Sequence, residues 1–225
     1  MDEARNVCAG PFGAFYDFYI ERPWLMRLVG RAVWGIDASV LYESIDAIEA
    51  ATAGETILDV PCGGGVALRA LRPEQDVRYV GADLDPKMLQ RAGRRARARS
   101  LDQVELVAAD MAALPFADSE ADLFLSLSGL HMVDDPEAAV GEIARCLKPG
   151  GQVIGTCFFI DGSRRARWLF ELGGRRGHAV PPQREDLLGW LESAGLAEAA
   201  IGPQRGFAAF SAHKPGPGHP AIGSP

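Results

Sequence analysis

Residues 57–65 read ILDVPCGGG, and this stretch decides how the chain is expected to fold. An apolar run ends in an acid, Asp59, and three consecutive glycines begin four residues later. A short strand that leads into a glycine-rich turn is typical of parallel α/β proteins, in which ligands bind beyond the carboxyl ends of the strands. Because glycine has no side chain, the backbone of residues 63–65 can come close to a bound molecule.

Strands and helices are predicted to alternate along the rest of the chain. Apolar segments at 56–60, 77–83, 104–110, 121–130 and 151–160 are predicted strands, and the sequence favours helices at 66–73, 87–100, 135–151 and 183–196. Strands linked by helices at this spacing predict a parallel sheet with helices on both faces. The last two apolar segments, 196–201 and 206–214, are typical of a terminal hairpin.

One domain is predicted over residues 1–214. Within it, residues 11–50 are rich in aromatic side chains and carry helical signals, which predicts a helical N-terminal layer beside the sheet. Residues 162–182 have mixed charge and no clear pattern, so they are predicted to form a variable cap segment. The Pro- and Gly-rich residues 215–225 are predicted to be a disordered tail.

Composition limits the classes of partner and compartment. The formal net charge of −7 argues against a nucleic acid partner, and the arginines between residues 91 and 99 are predicted to be a solvated helix face. No apolar run is long enough to span a membrane, and the N-terminus lacks the pattern of a signal peptide. The four cysteines are far apart and show no metal-ligand spacing. These features predict a cytoplasmic protein with reduced thiols, no bound metal and no membrane partner.

Acids at the ends of further strands indicate the kind of ligand. Asp83 ends the second predicted strand, 20 residues beyond Gly63, and Asp110 ends the third, directly before Met111. Acids at this edge would repel a pyrophosphate and attract a ligand with hydroxyl groups, an amine and a cationic centre. Leu68 also stands where the third small residue of a dinucleotide-binding turn belongs, and the Lys-Ser/Thr pair of a P-loop is missing.

These motifs resemble those of the class I S-adenosylmethionine-dependent methyltransferases, of the group acting mostly on small molecules. ILDVPCGGG is similar to the glycine-rich first motif of that family, and VGADLDPKML is similar to its acidic second motif. AADMAALPF resembles the adenine-binding turn, and residues 127–155 resemble the stretch between the fourth and fifth strands. The resemblance implies a doubly wound α/β fold of three layers, with a seven-stranded, mostly parallel sheet and an antiparallel last strand.

The resemblance also implies the site residues. Asp59 and the turn formed by Pro61, Cys62, Gly63, Gly64 and Gly65 would flank the methionine part of S-adenosylmethionine. Asp83 would bind the ribose hydroxyls with Leu84 against the adenine, and Asp110 and Met111 would bind the adenine through the carboxylate and a backbone N–H. Ser126 and Leu127 would line the site from the fourth strand, and Tyr16 and Tyr19 are candidates for a lid over the cofactor. Each acid also has a structural alternative, since Asp59 could simply orient the turn.

Methyl transfer from a sulfonium is a direct displacement that leaves S-adenosylhomocysteine, so the protein mainly has to hold the reacting atoms in line. A base is needed only where the acceptor must lose a proton. His131, just beyond the fourth strand, is the candidate base, with His178 as a weaker one, and the alternative for His131 is a side chain that shapes the pocket wall. Pro61 is expected to stiffen the turn and Cys62 to be a small packed residue rather than a nucleophile.

The predicted activity is therefore a methyltransferase, EC 2.1.1.-, acting on a small and partly hydrophobic acceptor. The atom that accepts the methyl group and the oligomeric state do not follow from the sequence. Two other functions stay open at this point. One is a protein that binds S-adenosylmethionine without turnover, and the other is an NAD-dependent oxidoreductase on a related sheet.

Overall fold

The computed structural model describes residues 22–160 and 181–216. Several expectations concern residues outside these ranges and stay predictions. They are the lid residues Tyr16 and Tyr19, His178 with nearly all of the segment 162–182, and the tail beyond residue 216.

Seven strands form one sheet. In chain order they are Thr56–Asp59 (β1), Arg78–Asp83 (β2), Val104–Ala108 (β3), Ala121–Leu127 (β4), Leu147–Phe158 (β5), Ala197–Ile201 (β6) and Phe207–His213 (β7). Their order in the sheet is β3-β2-β1-β4-β5-β7-β6. The first five strands pair in parallel, whereas β7 is antiparallel to both β5 and β6. The predicted seven-stranded sheet with an antiparallel last strand is therefore confirmed.

Five α-helices and three shorter helical turns are present in the described part of the chain. The α-helices are Pro23–Val29 (α1), Ser39–Ile45 (α2), Pro86–Ala98 (α3), Pro136–Cys146 (α4) and Arg184–Ser193 (α5). A π-helical turn at Gly30–Trp34 and 3₁₀ turns at Asp46–Ala50 and Ala67–Ala70 complete them. No helix among these residues is both long enough and apolar enough to cross a membrane.

The side chains of each strand alternate between two cores, one on each face of the sheet. In β4, Phe124 packs into the core on the side of α4 and α5. Its neighbours Leu123 and Leu125 pack into the core on the side of α2 and α3. The same alternation places Ile57 and Tyr79 together on the α2 and α3 side. The helices on both faces make the three layers that were predicted.

The helix predicted at 66–73 was wrong, because only a 3₁₀ turn over Ala67–Ala70 forms there. The chain becomes extended at Leu71, two residues before Pro73, so the segment between the glycine turn and the proline is too short for an α-helix. The helix predicted at 135–151 ends earlier, at Cys146, and β5 begins at Leu147. The helix starts were predicted better: the side chain of Asp85 caps α3 and that of Asp135 caps α4.

Candidate cofactor and active site

The site lies where the winding of the sheet reverses. β1 pairs with β2 on one side and with β4 on the other, so the chain leaves β1 toward one half of the sheet and returns at β4 to build the other. A crevice forms at such a reversal, outside the carboxyl ends of the two central strands. Residues 61–65 follow β1 directly and therefore border that crevice.

Two glycines of the turn have different structural needs. Gly63 (φ +53°) and Gly65 (φ +78°) both adopt the left-handed conformation that glycine tolerates best. A side chain at Gly63 would point into open space, which leaves this backbone accessible to a ligand. A Cβ at Gly65 would lie 2.8 Å from Leu68 and 3.1 Å from Ala92, so this glycine lets α3 pack closely on the turn. Gly63 thus serves ligand approach, and Gly65 serves packing.

Pro61 packs against the loop that follows β4. The Val60–Pro61 peptide bond is cis. A Cβ at Gly129 would lie 2.2 Å from the Cδ of Pro61, so the proline ring occupies the space that any other residue at 129 would need. The proline therefore joins the turn after β1 to the loop after β4. Gly129 was missed in the sequence, and no local pattern identifies it.

Asp59 is the most deeply buried acid of the site. Its side chain is 1% exposed, and its Oδ2 accepts a hydrogen bond of 2.5 Å from the hydroxyl of Tyr79. Its Oδ1 has no hydrogen-bond partner among the described residues although it is buried. Burial raises the pKa of Asp59 to about 7, against the opposing effect of the Tyr79 hydrogen bond. An unpaired carboxylate oxygen in such a position suits a ligand that brings a positive charge.

Asp83 holds the glycine turn in place. Its Oδ2 accepts from the Gly63 N–H at 2.8 Å, and its Oδ1 accepts from the Asp85 N–H at 2.9 Å. Burial raises the pKa of Asp83, and the two backbone donors partly offset that rise. Each carboxylate oxygen has a second lone pair, so Asp83 can bind these backbone groups and ribose hydroxyls together. Hydrogen bonds that orient the turn were considered for Asp59, and the structure shows them at Asp83.

The residues predicted for the adenine lie at the open edge. Leu84 is 61% exposed, which is unusual for a leucine directly after a buried strand. Asp110 is exposed and lies two residues beyond the end of β3, where its Oδ1 accepts from the Ala112 N–H at 3.0 Å. The side chain of Met111 is buried in the core. An exposed apolar side chain can pack against a flat heterocycle, and an exposed carboxylate can accept from its amine. The roles of Leu84, Asp110 and Met111 stay predictions.

On the fourth strand, the structure places the site-lining side chains differently from expectation. Leu127 borders the crevice. Ser126 is fully buried and is not one of the residues that line the cavity, and its Oγ has no partner among the described residues. Ser128 borders the crevice instead, with φ +60° and its N–H donating to the Thr156 backbone carbonyl at 2.9 Å. β4 ends at Leu127, and the left-handed residue that follows turns the chain toward the site.

A small cavity of about 60 Å³ lies in the crevice, beside the glycine turn. Six of its wall residues were predicted as site residues: Asp59, Pro61, Cys62, Gly63, Gly64 and Leu127. The other four are Leu41, Val66, Arg95 and Ser128. The cavity wall therefore contains the residues predicted for the methionine end except Gly65, whereas Asp83, Leu84 and Asp110 lie outside it.

Arg95 corrects the prediction that the arginines of α3 form only a solvated face. Its Nη1 donates to the Gly64 carbonyl at 2.6 Å, and the residue lines the cavity. Arg99, one turn later, donates to the carbonyls of Arg69 and Leu71. The close packing of α3 on Gly65 brings these side chains to the backbone of the turn and of the 3₁₀ segment.

His131, the candidate base, is buried behind β5. Its side chain is 5% exposed, and its Nδ1 lies 3.5 Å from the Phe158 N–H and 3.9 Å from the Cys157 thiol. Burial lowers the pKa of His131 to about 3, so the ring is neutral at physiological pH. A base of that strength accepts a proton poorly from an alcohol, phenol or amine. The base role stays a prediction, and this environment favours the alternative in which His131 shapes the wall.

Cys62 is packed rather than reactive. It is 4% exposed, and its side chain fills the space beside Gly81, where a Cβ would lie 3.2 Å from the Cys62 Sγ. Burial raises the pKa of its thiol, which opposes formation of the nucleophilic thiolate. Among residues 22–160 and 181–216, no group of three or more His, Cys, Asp or Glu side chains could hold a metal ion.

A larger surface hollow of about 480 Å³ lies between α3 and the edge strand β3. Its wall includes Leu89, Gly93, Arg94 and Leu106 and none of the predicted site residues. The smaller cavity is the better candidate site, because it lies at the sheet reversal and contains the buried acid.

Comparison with known proteins agrees with this geometry. A family model described as a methyltransferase domain matches residues 58–155, the stretch from β1 to β5. A demethylmenaquinone methyltransferase of Clavibacter sepedonicus is 40% identical over 170 residues, which cover 66% of this chain and 68% of that protein. A 27-O-demethylrifamycin SV methyltransferase of Amycolatopsis mediterranei is 33% identical over 102 residues, which cover 45% of this chain and 38% of that protein.

Among solved structures, the phosphoethanolamine N-methyltransferase 2 of Haemonchus contortus, in complex with S-adenosyl-L-methionine, has a TM-score of 0.73. It is 15% identical, and the match covers 96% of this chain and 60% of that chain. Identity this low shows the fold alone. Apart from the Clavibacter protein, the other curated relatives compared are matched over only 38% to 47% of their length.

Proposed function

The chain belongs to the class I S-adenosylmethionine-dependent methyltransferases, and from that premise we propose that it methylates a small, largely apolar acceptor. Its cofactor is S-adenosylmethionine. The observation that carries the proposal is the set of residues at the sheet reversal, where an accessible glycine backbone lies between the buried acids Asp59 and Asp83. When bound, the cofactor supplies a methyl group activated by a positively charged sulfur.

The chain's own residues fit this cofactor. The unpaired Oδ1 of Asp59 suits the cationic methionine end, and the free space over Gly63 admits the ligand against the backbone. We assign the ribose hydroxyls to Asp83 and the adenine to Leu84, Asp110 and Met111. The same arrangement disfavours NAD, because two acids with raised pKa values would face its pyrophosphate once ionised.

We place the acceptor beyond the carboxyl end of β4. Met132 is 49% exposed in the loop after that strand. An exposed apolar side chain near a polar site favours an acceptor with a substantial apolar part. The Clavibacter relative is named for demethylmenaquinone, so quinone-type molecules are the first acceptors to test.

We also propose that neither nucleic acid nor membrane is a partner and that the protein is cytoplasmic. The net charge of −7 supports the first part, because a nucleic acid surface requires a basic patch. Cys62, Cys146 and Cys157 are buried and unpaired, which is compatible with a reducing compartment.

The test measures binding and turnover separately. Calorimetric titration with S-adenosylhomocysteine and with NAD should give binding for the first compound only. Radiolabelled methyl transfer should then be followed on quinols, phenols and amines of increasing apolar size, with an Asp83→Asn variant as a binding-deficient control. Transfer only to polar amines would overturn the acceptor class. Binding without transfer to any acceptor would favour the non-catalytic alternative.

A further inference from the structure

Tyr79 is a buried polar side chain that the cofactor assignment leaves without a role. It lies in β2 and is 1% exposed, within the core on the α2 and α3 side of the sheet. Phenylalanine would fill this core equally well, so the hydroxyl needs a separate explanation.

The register of the sheet explains how Tyr79 reaches the site. Tyr79 is the direct neighbour of Ile57 in the parallel pair of β1 and β2, and Asp59 lies two residues further along β1 on the same face. Gly81, which pairs directly with Asp59, has no side chain to block the path. The Tyr79 hydroxyl therefore extends along the sheet and donates to the Asp59 Oδ2 at 2.5 Å.

This hydrogen bond leaves the two oxygens of Asp59 unequal. Oδ2 is occupied by Tyr79, whereas Oδ1 is buried without a partner and the residue forms part of the cavity wall. A carboxylate free to rotate would exchange its oxygens, and a fixed donor on one of them holds the other in a constant place. A hydrogen bond to the carboxylate also favours its ionised form.

We propose that Tyr79 is a positioning residue that favours the ionised form of Asp59 and orients it toward the cationic amino-acid end of the cofactor. This inference rests on the proposed function and deepens it. We assign the adenosine end to other residues, so the contribution of Tyr79 should be confined to the part of the ligand that carries the ammonium and sulfonium charges.

The charged and titratable groups around Asp59 determine how binding depends on pH. They are Tyr79 and Asp83 from β2, Cys62 from the glycine turn and Arg95 from α3, while α2 contributes only the apolar Leu41 to the cavity wall. Tyr79 opposes the rise in the Asp59 pKa, and Asp83 adds to it. Binding of the amino-acid end should therefore weaken as the pH falls through the Asp59 pKa. Removal of the Tyr79 hydroxyl should move that transition to higher pH.

The test compares two ligands on wild-type protein and Tyr79→Phe. S-adenosylhomocysteine carries the amino-acid end, whereas 5′-methylthioadenosine lacks it. By calorimetry at neutral pH, Tyr79→Phe should bind S-adenosylhomocysteine on the order of tenfold more weakly, as expected for a lost hydrogen bond to a charged group. Its affinity for 5′-methylthioadenosine should change by less than about twofold, which also shows that the variant is folded.

A double-mutant cycle supplies the second readout. Asp59→Asn removes the charge, so adding Tyr79→Phe to it should produce little further loss of S-adenosylhomocysteine affinity. Equal losses for both ligands, or additive losses in the double variant, would overturn the inference and leave the cofactor assignment intact. Wild-type protein that binds neither ligand would overturn the cofactor assignment, and the inference with it.

Discussion

Replacing Asp59 by asparagine should stabilise the ligand-free protein at alkaline pH. Asparagine has nearly the same shape as aspartate. Its side-chain carbonyl can accept the hydrogen bond from Tyr79, and its neutral NH₂ group takes the place of the unpaired Oδ1. The wild-type protein must keep a buried carboxylate ionised at pH 8, and the variant has no such charge. The variant is therefore expected to be the more stable protein under these conditions.

The magnitude follows from the pKa. Burial raises the pKa of Asp59 from 3.8 to about 7, and a rise of about three pKa units corresponds to about 4 kcal/mol of unfolding free energy. The folded state binds the proton more tightly than the unfolded state, so wild-type stability falls as the pH rises from about 4 to about 7. Between pH 5 and pH 8, the unfolding free energy of the variant should rise by about 3 kcal/mol relative to that of the wild type.

Urea denaturation of both ligand-free proteins at several pH values measures this difference. Glu105→Gln is the matched control, because the hydrogen bond from Arg78 lowers the pKa of Glu105. That stabilising contribution is present above pH 4.5 and is lost as the pH falls, so the control variant should be slightly less stable than wild type throughout pH 5 to 8. If the unfolding free energies of Asp59→Asn and wild type differ by the same amount from pH 5 to pH 8, Asp59 does not have the raised pKa on which this prediction depends.

Four further variants test the turn, its support and a separate contact at the end of α4. Gly65→Ala should lower the unfolding free energy by about 1–3 kcal/mol because its Cβ meets two side chains. Gly63→Ala has open space around it but carries the strain of a positive φ, so it should lower the unfolding free energy by about 1 kcal/mol and also weaken S-adenosylhomocysteine binding in calorimetry. Arg95→Met removes a donor from the Gly64 carbonyl and should weaken the same ligand with little change in thermal unfolding. Lys214→Met should lower the unfolding free energy measured in urea by about 1–2 kcal/mol, since its Nζ donates to three carbonyls at the end of α4.

The succession of strands along the chain and the acids at their ends could be predicted because they depend on local signals. Asp59 and Asp83 end apolar runs, and both are the last residues of their strands in the structure. Asp85 and Asp135 precede prolines and cap helices, as such pairs commonly do. The helix predicted after the glycine turn failed because the segment between that turn and Pro73 is too short for an α-helix.

Contacts between distant segments could not be predicted in the same way. The Tyr79 hydroxyl reaches Asp59 only because β1 and β2 pair in one particular register, which the sequence of either strand does not encode. Arg95 looked like part of a solvated face, since its contact with Gly64 depends on how closely α3 packs on Gly65. Ser126 was predicted to line the site, whereas Ser128 does so in the structure. The left-handed backbone at Ser128, after the end of β4, directs this residue toward the cavity, and the sequence does not reveal that conformation.

The site gathers features that destabilise the empty protein and that a suitable ligand relieves together. The pKa values of Asp59 and Asp83 are both raised, mainly by burial, and the proximity of Asp83 raises the Asp59 value further. A ligand that brings a positive charge to Asp59 and hydroxyl groups to Asp83 would lower both pKa values and favour the ionised forms. Because the pKa of Asp59 is about 7 in the empty protein, binding should release protons from Asp59 near neutral pH, and the calorimetric heat should change between buffers of different ionisation enthalpy. Identical heats in all buffers would mean that Asp59 is not protonated before the cofactor binds.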